Sequence, residues 1–309
     1  MELVIAFALD FLFADPDWLP HPVVGMGKII AAEYKLILKA RDGWKKPLGI
    51  ACALVNTAAM YLLIRGLLGL FGGPVKTVLS VYLLYTTLAA KTLHKEAHGV
   101  KKALALSVEK GRKQLSRIVG RDTASLDEEA IVKATVETVA ENTSDGIIAP
   151  LFYAALFGPA GAMAYKMVNT MDSMVGYRND TYRLAGYGAA KLDDLANLIP
   201  ARLTALLMCF SAGSASLMKR AILTVKEFHS AHLSPNAGWC EAAAAGVLGI
   251  ELGGGHDYFG EYVYKPTIGR AINPVESDAI DAATKLMWRS TILYLLIYAA
   301  IYFLIKERI

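Results

Sequence analysis

The sequence predicts an all-α fold: a polytopic helical membrane protein with broken or re-entrant helices and cytoplasmic helical loops. Three observations predict it. Long stretches are almost without charge, helical periodicity runs through the polar segments between them, and no stretch gives a convincing sheet. Of 309 residues, 55% are hydrophobic and 19% charged. Ordinary soluble domains run at about 45–50% and about 25%, so the distribution decides the class. Residues 48–71 carry one charge in 24, Arg65, and residues 290–305 carry none in 16, with Trp288 and Arg289 at their head. These are the best span candidates, since a crossing helix needs roughly 17–25 mainly apolar residues. Residues 147–165 carry no charge in 19, residues 198–217 only Arg202 in 20, and residues 77–93 only Lys91. The helices of a soluble fold usually keep a polar stripe.

Two of these stretches are interrupted. Residues 147–165 contain Pro150, Gly158, Pro159 and Gly161, and residues 198–217 begin Ile199-Pro200-Ala201-Arg202. Irregular backbone at membrane depth is tolerated where it lines a cavity. Residues 3–14 are apolar apart from Asp10 and read as a short span or a re-entrant helix; they lack the basic start and cleavage site of a signal peptide. Residues 127–141 show apolar positions three and four apart, with Asp127, Glu128 and Glu129 in the first turn, where the helix dipole favours negative charge.

The net charge is +4. It forms no basic stripe of the kind nucleic acid requires, so no nucleic-acid partner is expected. Six Lys/Arg fall in residues 15–47 and ten in 91–146, whereas only Lys76 follows the Gly72-Gly73-Pro74 turn. The positive-inside rule therefore places 15–47 and 91–146 in the cytoplasm and that turn outside. The expected organisation is a single integral membrane domain over 1–309, multi-pass in the cell membrane, with 91–146 as a cytoplasmic helical loop. Cys52, Cys209 and Cys240 are isolated and odd in number, which suits buried thiols rather than a disulfide framework or a zinc site.

Polar residues that could carry chemistry recur beside the apolar stretches. Asp10, Asp15 and His21 lead the chain, and an acid inside an apolar helix usually faces protein or a cavity. His94 and His98 share a helix face, and a solvated face is the expected reading for them. Glu137, Glu141 and Asp145 form one acidic stripe if their helix continues, with Asn142 beside it and Arg121 upstream. Such a stripe repels itself unless a cation sits in it, and Mg²⁺ prefers oxygen ligands that bridge to phosphates. Asn169, Asp172 and Ser173 share a face, followed by Arg178; Asp193, Asp194 and Asn197 precede Arg202, which asks for a fixed anionic partner. Ser234-Pro235-Asn236 can cap the helix that follows, and Gly253-Gly254-Gly255 could cradle phosphate without being a Walker sequence.

Taken together, LDFLFADPDWLPHPVVGMGKII, IVGRDT, ATVETVAENTSDGIIAPLFY, AYKMVNTMDSMVGYRND, KLDDLANLIPARLTA and SPNAGWCEAAAAGVLGIELGG run in order from Leu9 to Gly254. As a set they resemble the adenosylcobinamide-phosphate synthases of cobalamin biosynthesis, the CbiB/CobD family. The resemblance implies a polytopic membrane enzyme that joins (R)-1-aminopropan-2-ol, or its O-phosphate, to a propionate carboxylate of adenosylcobyric acid as an amide. It implies ATP and Mg²⁺ as cofactors, a lipid bilayer as surroundings, and other cobalamin-pathway membrane proteins as candidate partners. Residue type assigns the roles. Asp172, Asp193, Asp194, Glu137, Glu141 and His21 are expected as catalytic groups, and Asp10, Asp15, Asp145, Asp172 and Asp194 as metal ligands. Arg121, Arg178, Arg202, Asn142, Asn169, Ser173, Asn197 and Asn236 are expected to bind substrate or phosphate. Two other readings remain: an Mg²⁺-dependent intramembrane prenyltransferase, which needs a long apolar tunnel beside its acids, and a transporter or structural subunit of a cobalamin-pathway assembly.

Overall fold

A computed structural model describes residues 1–16, 18–120, 122–177, 179–258, 261–263 and 266–307. Along the chain run α1 (Glu2–Phe13), α2 (Pro22–Ile37), α3 (Asp42–Gly69), α4 (Gly73–Tyr85), α5 (Ala90–Leu104), α6 (Val108–Leu115), α7 (Glu128–Thr143), a π turn (Ser144–Ile148), α8 (Ala149–Val175), α9 (Tyr187–Ala196), α10 (Leu198–Phe210), α11 (Ala215–Phe228), α12 (Ala237–Leu248) and α13 (Asp278–Lys306). The fold is mostly helical, as expected. Among the described residues, three helical stretches are long and apolar enough to cross a membrane: Asp42–Gly69, Glu128–Val175 and Asp278–Lys306. Their outer faces carry Leu54, Val55, Leu62 and Leu63 on α3 and Ile292, Leu296, Ile301 and Leu304 on α13, all exposed. Contiguous exposed apolar surface of that kind marks a membrane-facing wall.

The structure changes several expectations. Residues 198–217 are not one helix. α10 stops at Phe210, and Ser214 starts α11 by accepting a hydrogen bond from Leu217 N at 3.2 Å. The 13 residues of α10 reach about 20 Å at about 1.5 Å each, short of a hydrocarbon core of about 30 Å. Residues 77–93 are likewise divided between α4 and α5. The interruption expected within 147–165 falls at Gly158, whose φ of 66° leaves the helical region just before Pro159. Asp127 is the cap of α7 rather than part of its first turn, and its side chain accepts from Ala130 N at 2.8 Å. Two short antiparallel ladders also occur, β1 (Glu251–Gly253) with β4 (Thr267–Gly269) and β2 (His256–Tyr258) with β3 (Glu261–Val263). Three-residue strands are too short to show a period of two.

The chain divides into two compact units. The first comprises Met1–Ala89 and Asp145–Leu198, the second Ala90–Ser144 and Ile199–Ile309. In the first, α2, α3, α8 and α9 share a core built on Met26, Ile30, Tyr34, Met163, Met167 and Met171. A polar tie crosses it: Glu33 Oε2 accepts from Asn56 Nδ2 at 2.6 Å and from Cys52 Sγ at 3.2 Å. α3 and α9 meet without intervening side chains, at Gly49 and Gly188. A β-carbon built on Gly49 would stand 1.9 Å from the Ala185 carbonyl oxygen, and one on Gly188 2.5 Å from Ile50 Cα.

In the second unit, the small-residue helix α12 packs closely on α11, where a β-carbon at Gly246 would stand 2.6 Å from Ala221 Cα. α12 ends at Gly249 with φ 70°, and Arg220 binds its last carbonyls, Gly246 O at 2.6 Å and Val247 O at 2.7 Å. The His94/His98 face is packed, not solvated. His94 Nδ1 accepts from Trp288 Nε1 at 3.1 Å, His98 Nε2 lies 3.1 Å from Asp281, and Lys101 Nζ contacts Asp278 and Asp281 at 2.6 Å each, which seats α5 on α13. Burial, helped by His98 and Lys91, lowers the His94 pKa below its ordinary value, as suits a ring that must accept through Nδ1.

Candidate active site

In the first unit, polar side chains from five segments converge on the middle of α8. α1 brings Asp10, fully buried. The chain then turns at Ala14, whose φ of 58° is a conformation L-residues rarely adopt. The Tyr85 hydroxyl donates to the Ala14 carbonyl and holds the turn. Strain of this kind persists only where surrounding structure enforces it, and here it sets Asp15 next in the chain. His21 Nε2 lies 3.4 Å from Asp15 Oδ1. Tyr85 interacts electrostatically with both Asp15 and Asp10, and Lys166 of α8 with both Asp15 and Asp145. Lys166 thus lies within electrostatic reach of two of the expected metal ligands.

The neighbouring residue opens a second arm. Tyr165 donates through its hydroxyl to Asn197 Oδ1 at 2.9 Å, and Asn197 Nδ2 donates to Asp193 Oδ2 at 3.0 Å. Receiving from the phenol and giving to the carboxylate fixes the Asn197 amide in one orientation. Tyr153 stacks on Tyr165 at 5.1 Å and anchors the end of α9 by donating to Ala196 O at 2.9 Å. An apolar cavity of about 510 Å³ opens against this pair, with Leu54, Tyr61, Phe157 and Leu192 in its walls. On the same two helices, Asp172 and Asp194 interact as like charges, and Lys191 Nζ meets Asp194 at 2.7 Å. Asn169 is partly buried and Ser173 exposed on α8; the Ser173 hydroxyl donates to Thr170 O at 3.0 Å.

Among the described residues, no three of His, Cys, Asp and Glu gather in a group that could cage a metal. Asp10, Asp15, Asp145, Asp172 and Asp194 therefore do not form one coordination shell. Mg²⁺ is usually held by one or two carboxylates while phosphates and waters complete its octahedron; Asp172 and Asp194, which interact as like charges, are the carboxylates that would hold it.

The second unit holds the remaining expected residues. Glu137 is buried, and its Oε1 accepts from Gly253 N at 2.8 Å. The glycine cluster is thus held by a carboxylate. Glu141 is partly buried, and Asn142 Nδ2 turns back to Thr138 O at 3.0 Å. The expected stripe does not continue as an α-helix into Asp145, which sits on the π turn. Arg202 donates to Asn236 Oδ1 at 3.2 Å and covers the Trp239 ring at 4.7 Å. Ser234 Oγ accepts from Asn236 N and Ala237 N, at 3.2 Å each, in the turn ahead of α12; the N-cap of that helix is Asn236, without a side-chain cap bond, and the helix begins at Ala237 rather than at Glu241. Glu241, buried, lies 3.7 Å from His232 Nε2, and Ser234 N donates to His232 Nδ1 at 2.9 Å, which leaves the ring proton on Nε2 facing the acid. Arg121 and Arg178, expected as clamps, lie outside the described residues.

The Glu137 contact gives a direct test. Glu137→Leu leaves a buried N–H without its acceptor, a loss of about 1–3 kcal/mol, whereas Glu137→Gln keeps an oxygen there. Amide hydrogen exchange over 251–269 is expected to accelerate roughly 5- to 100-fold in the first variant and little in the second. Equal protection in all three proteins would refute this role.

Sequence reasoning missed Lys166, Tyr165, Tyr153 and Tyr85. The available signal was Lys166 itself, which ends the uncharged run 147–165; an ionisable residue in such a setting is a functional candidate by default.

Comparison with known proteins places the chain in a family. The family model described as CobD/Cbib protein matches residues 3–287. Relatives include cobalamin biosynthesis protein CobD of Geobacter metallireducens, 45% identical over 96% of this chain and 95% of its own. The protein of the same name from Clostridium tetani is 41% identical over 97% and 96%, and cobalamin biosynthesis protein CbiB of Salmonella choleraesuis 42% over 96% and 95%. No solved structure matches. With a family match over nearly its whole length and relatives above 40% identity, the chain belongs to the CobD/CbiB family of cobalamin biosynthesis proteins.

Proposed function

We propose that this protein forms an amide between (R)-1-aminopropan-2-ol, or its O-phosphate, and a propionate carboxylate of adenosylcobyric acid, at the expense of ATP. The observation that carries the reading is the partly buried Lys166, which interacts electrostatically with Asp15 and Asp145, beside the Tyr165–Asn197–Asp193 chain. A carboxylate does not condense with an amine in water. It must first be phosphorylated, with ADP leaving; the amine nitrogen then attacks the acyl carbon, phosphate leaves, and the nitrogen gives up a proton. A site for this needs a cation for the developing negative charge, a base for the proton, and shelter from water.

The first unit offers each. Lys166 is a cation that interacts electrostatically with Asp15 and Asp145. Asp193 is the base, oriented by Asn197, which is in turn fixed by Tyr165. Asp172 and Asp194 would hold Mg²⁺, whose chemistry is to neutralise the phosphate oxygens during transfer. The apolar cavity beside Tyr153 and Tyr165 suits the methyl-bearing edge of a corrin and leaves its propionate toward the polar cluster. Other membrane proteins of the pathway would serve as neighbours in the bilayer.

The test is purified protein in lipid with adenosylcobyric acid, the aminopropanol or its phosphate, ATP and Mg²⁺, read by mass spectrometry. The amide product and ADP are expected in equal amounts. The same apolar cavity suits a prenyl chain, so a parallel arm supplies a prenyl diphosphate; prenyl transfer without amide formation would overturn the reading. Asp193→Asn is expected to lower the amide-forming rate by about 10²–10⁴-fold, the usual worth of a general base.

A further inference from the structure

The second unit has a cavity of about 580 Å³ between α11, the end of α12 and the first half of α13. Its cations are Arg220, Lys285 and Arg289. Arg220 is committed to the α12 carbonyls. Lys285 and Arg289 are exposed, and among the described residues neither pairs with an acid. Of the two acids in the lining, Asp278 is taken by Lys101 at 2.6 Å and Glu276 is exposed.

The placement of the two cations identifies an occupant. Lys285 and Arg289 are four apart on α13, and the same helix face continues through Ile292 and Leu296. Ile292 is 50% exposed and Leu296 63%. Arg289 is the last charge before the uncharged run 290–305, in a helix long and apolar enough to cross a membrane, and Trp288 adjoins it. Aromatic and basic residues at the head of an apolar segment mark the level of the lipid headgroups. A soluble anion would use the cations and leave the apolar half of the stripe unexplained. A phospholipid uses both: phosphate at Lys285 and Arg289, acyl chain along Ile292 and Leu296.

We infer that this face of α13 and its cavity form a binding site for an anionic phospholipid, with the headgroup phosphate held by Lys285 and Arg289.

Native mass spectrometry of the delipidated full-length protein, with phosphatidylglycerol or phosphatidylcholine added, tests it. Phosphatidylglycerol is expected to bind in preference. The Lys285→Gln/Arg289→Gln double variant is expected to lose about 30-fold in its affinity, at about 1 kcal/mol per cation near an anionic surface and about 1.4 kcal/mol per tenfold. Lys113→Gln, an exposed lysine on α6, and Arg289→Lys, which keeps the charge, are expected to retain binding, and this holds even if the double variant proves unstable. Equal binding by the double and parent proteins overturns the inference. So does displacement of phosphatidylglycerol by millimolar inorganic phosphate or ATP, which would make the cavity a soluble-anion site. None of these readouts depends on amide formation.

Discussion

Lys166→Met is expected to lower amide formation by about 10²–10³-fold, the usual loss when one preorganised electrostatic group is removed from a site, while helical content stays unchanged. Lys166 follows a 19-residue run without charge, is partly buried, and interacts with Asp15 and Asp145. A cation there has two physical uses. It offsets the two carboxylates, or it turns toward the phosphate or propionate of a substrate. A double variant separates them. If Lys166 only neutralises its neighbours, Lys166→Met combined with Asp145→Asn restores most of the rate, because the charge that needed offsetting has gone. If it acts on substrate, the double variant stays as slow as the single one. Non-additivity is measurable because the residues share a network. Single-turnover formation of the amide, followed by mass spectrometry, is the measurement. A full rate in Lys166→Met, or recovery in the double variant, would remove Lys166 from the proposed chemistry.

What the sequence made legible were features whose cause is local. The apolar run 48–71 lies almost wholly within Asp42–Gly69, and 290–305 lies inside Asp278–Lys306. That last helix starts earlier than hydropathy suggests, since 278–289 is helical but amphipathic, with Asp281 and Lys285 polar beside buried Ile280, Leu286 and Met287. Asp127 caps a helix because its carboxylate can reach an N–H three residues on, and Gly158-Pro159 breaks one because no partner can restore the lost backbone bond locally. The site was legible as a set of residue types and illegible as a set of pairs. Asp15 and Lys166 are far apart in the chain; so are Tyr85 and Ala14, and Tyr165 and Asn197. Nothing in their own segments announces those contacts. The acidic stripe shows the limit of periodicity: spacing put Glu137 and Asp145 on one face, but the α-helix gives way to a π turn at Ser144–Ile148, which carries Asp145. Arg202 was expected to need an anion, and the partners seen at its guanidinium include an amide and an indole face, both compatible with a planar cation.

The tightest constraint on the site lies where the sequence looks least chemical. Gly49→Leu and Gly188→Leu are each expected to lower the thermal midpoint in detergent by several degrees or more and to reduce amide formation. Overpacking a closely fitted interior typically costs about 1–3 kcal/mol and occasionally more. Here the obstacle to a new side chain is backbone: the Ala185 carbonyl oxygen at 1.9 Å from a β-carbon at Gly49, and Ile50 Cα at 2.5 Å from one at Gly188. Backbone cannot rotate aside as a side chain does, so α3 and α9 must separate. α9 carries Asp193 and Asp194 and leads into Asn197, which receives the Tyr165 hydroxyl at 2.9 Å. A hydrogen bond of that length is lost with a displacement of about 1 Å, so the same substitution that loosens the helix pair disconnects the base from its support. Glycine at these two positions thus serves the geometry of the acids a few residues on. Gly66 is the internal control. It lies on α3, no atom stands within 4 Å of where its β-carbon would be, and Gly66→Ala is expected to leave both stability and rate close to those of the parent. Equal midpoints and rates for Gly188→Leu and Gly66→Ala would mean that the approach of α3 to α9 does not position the site.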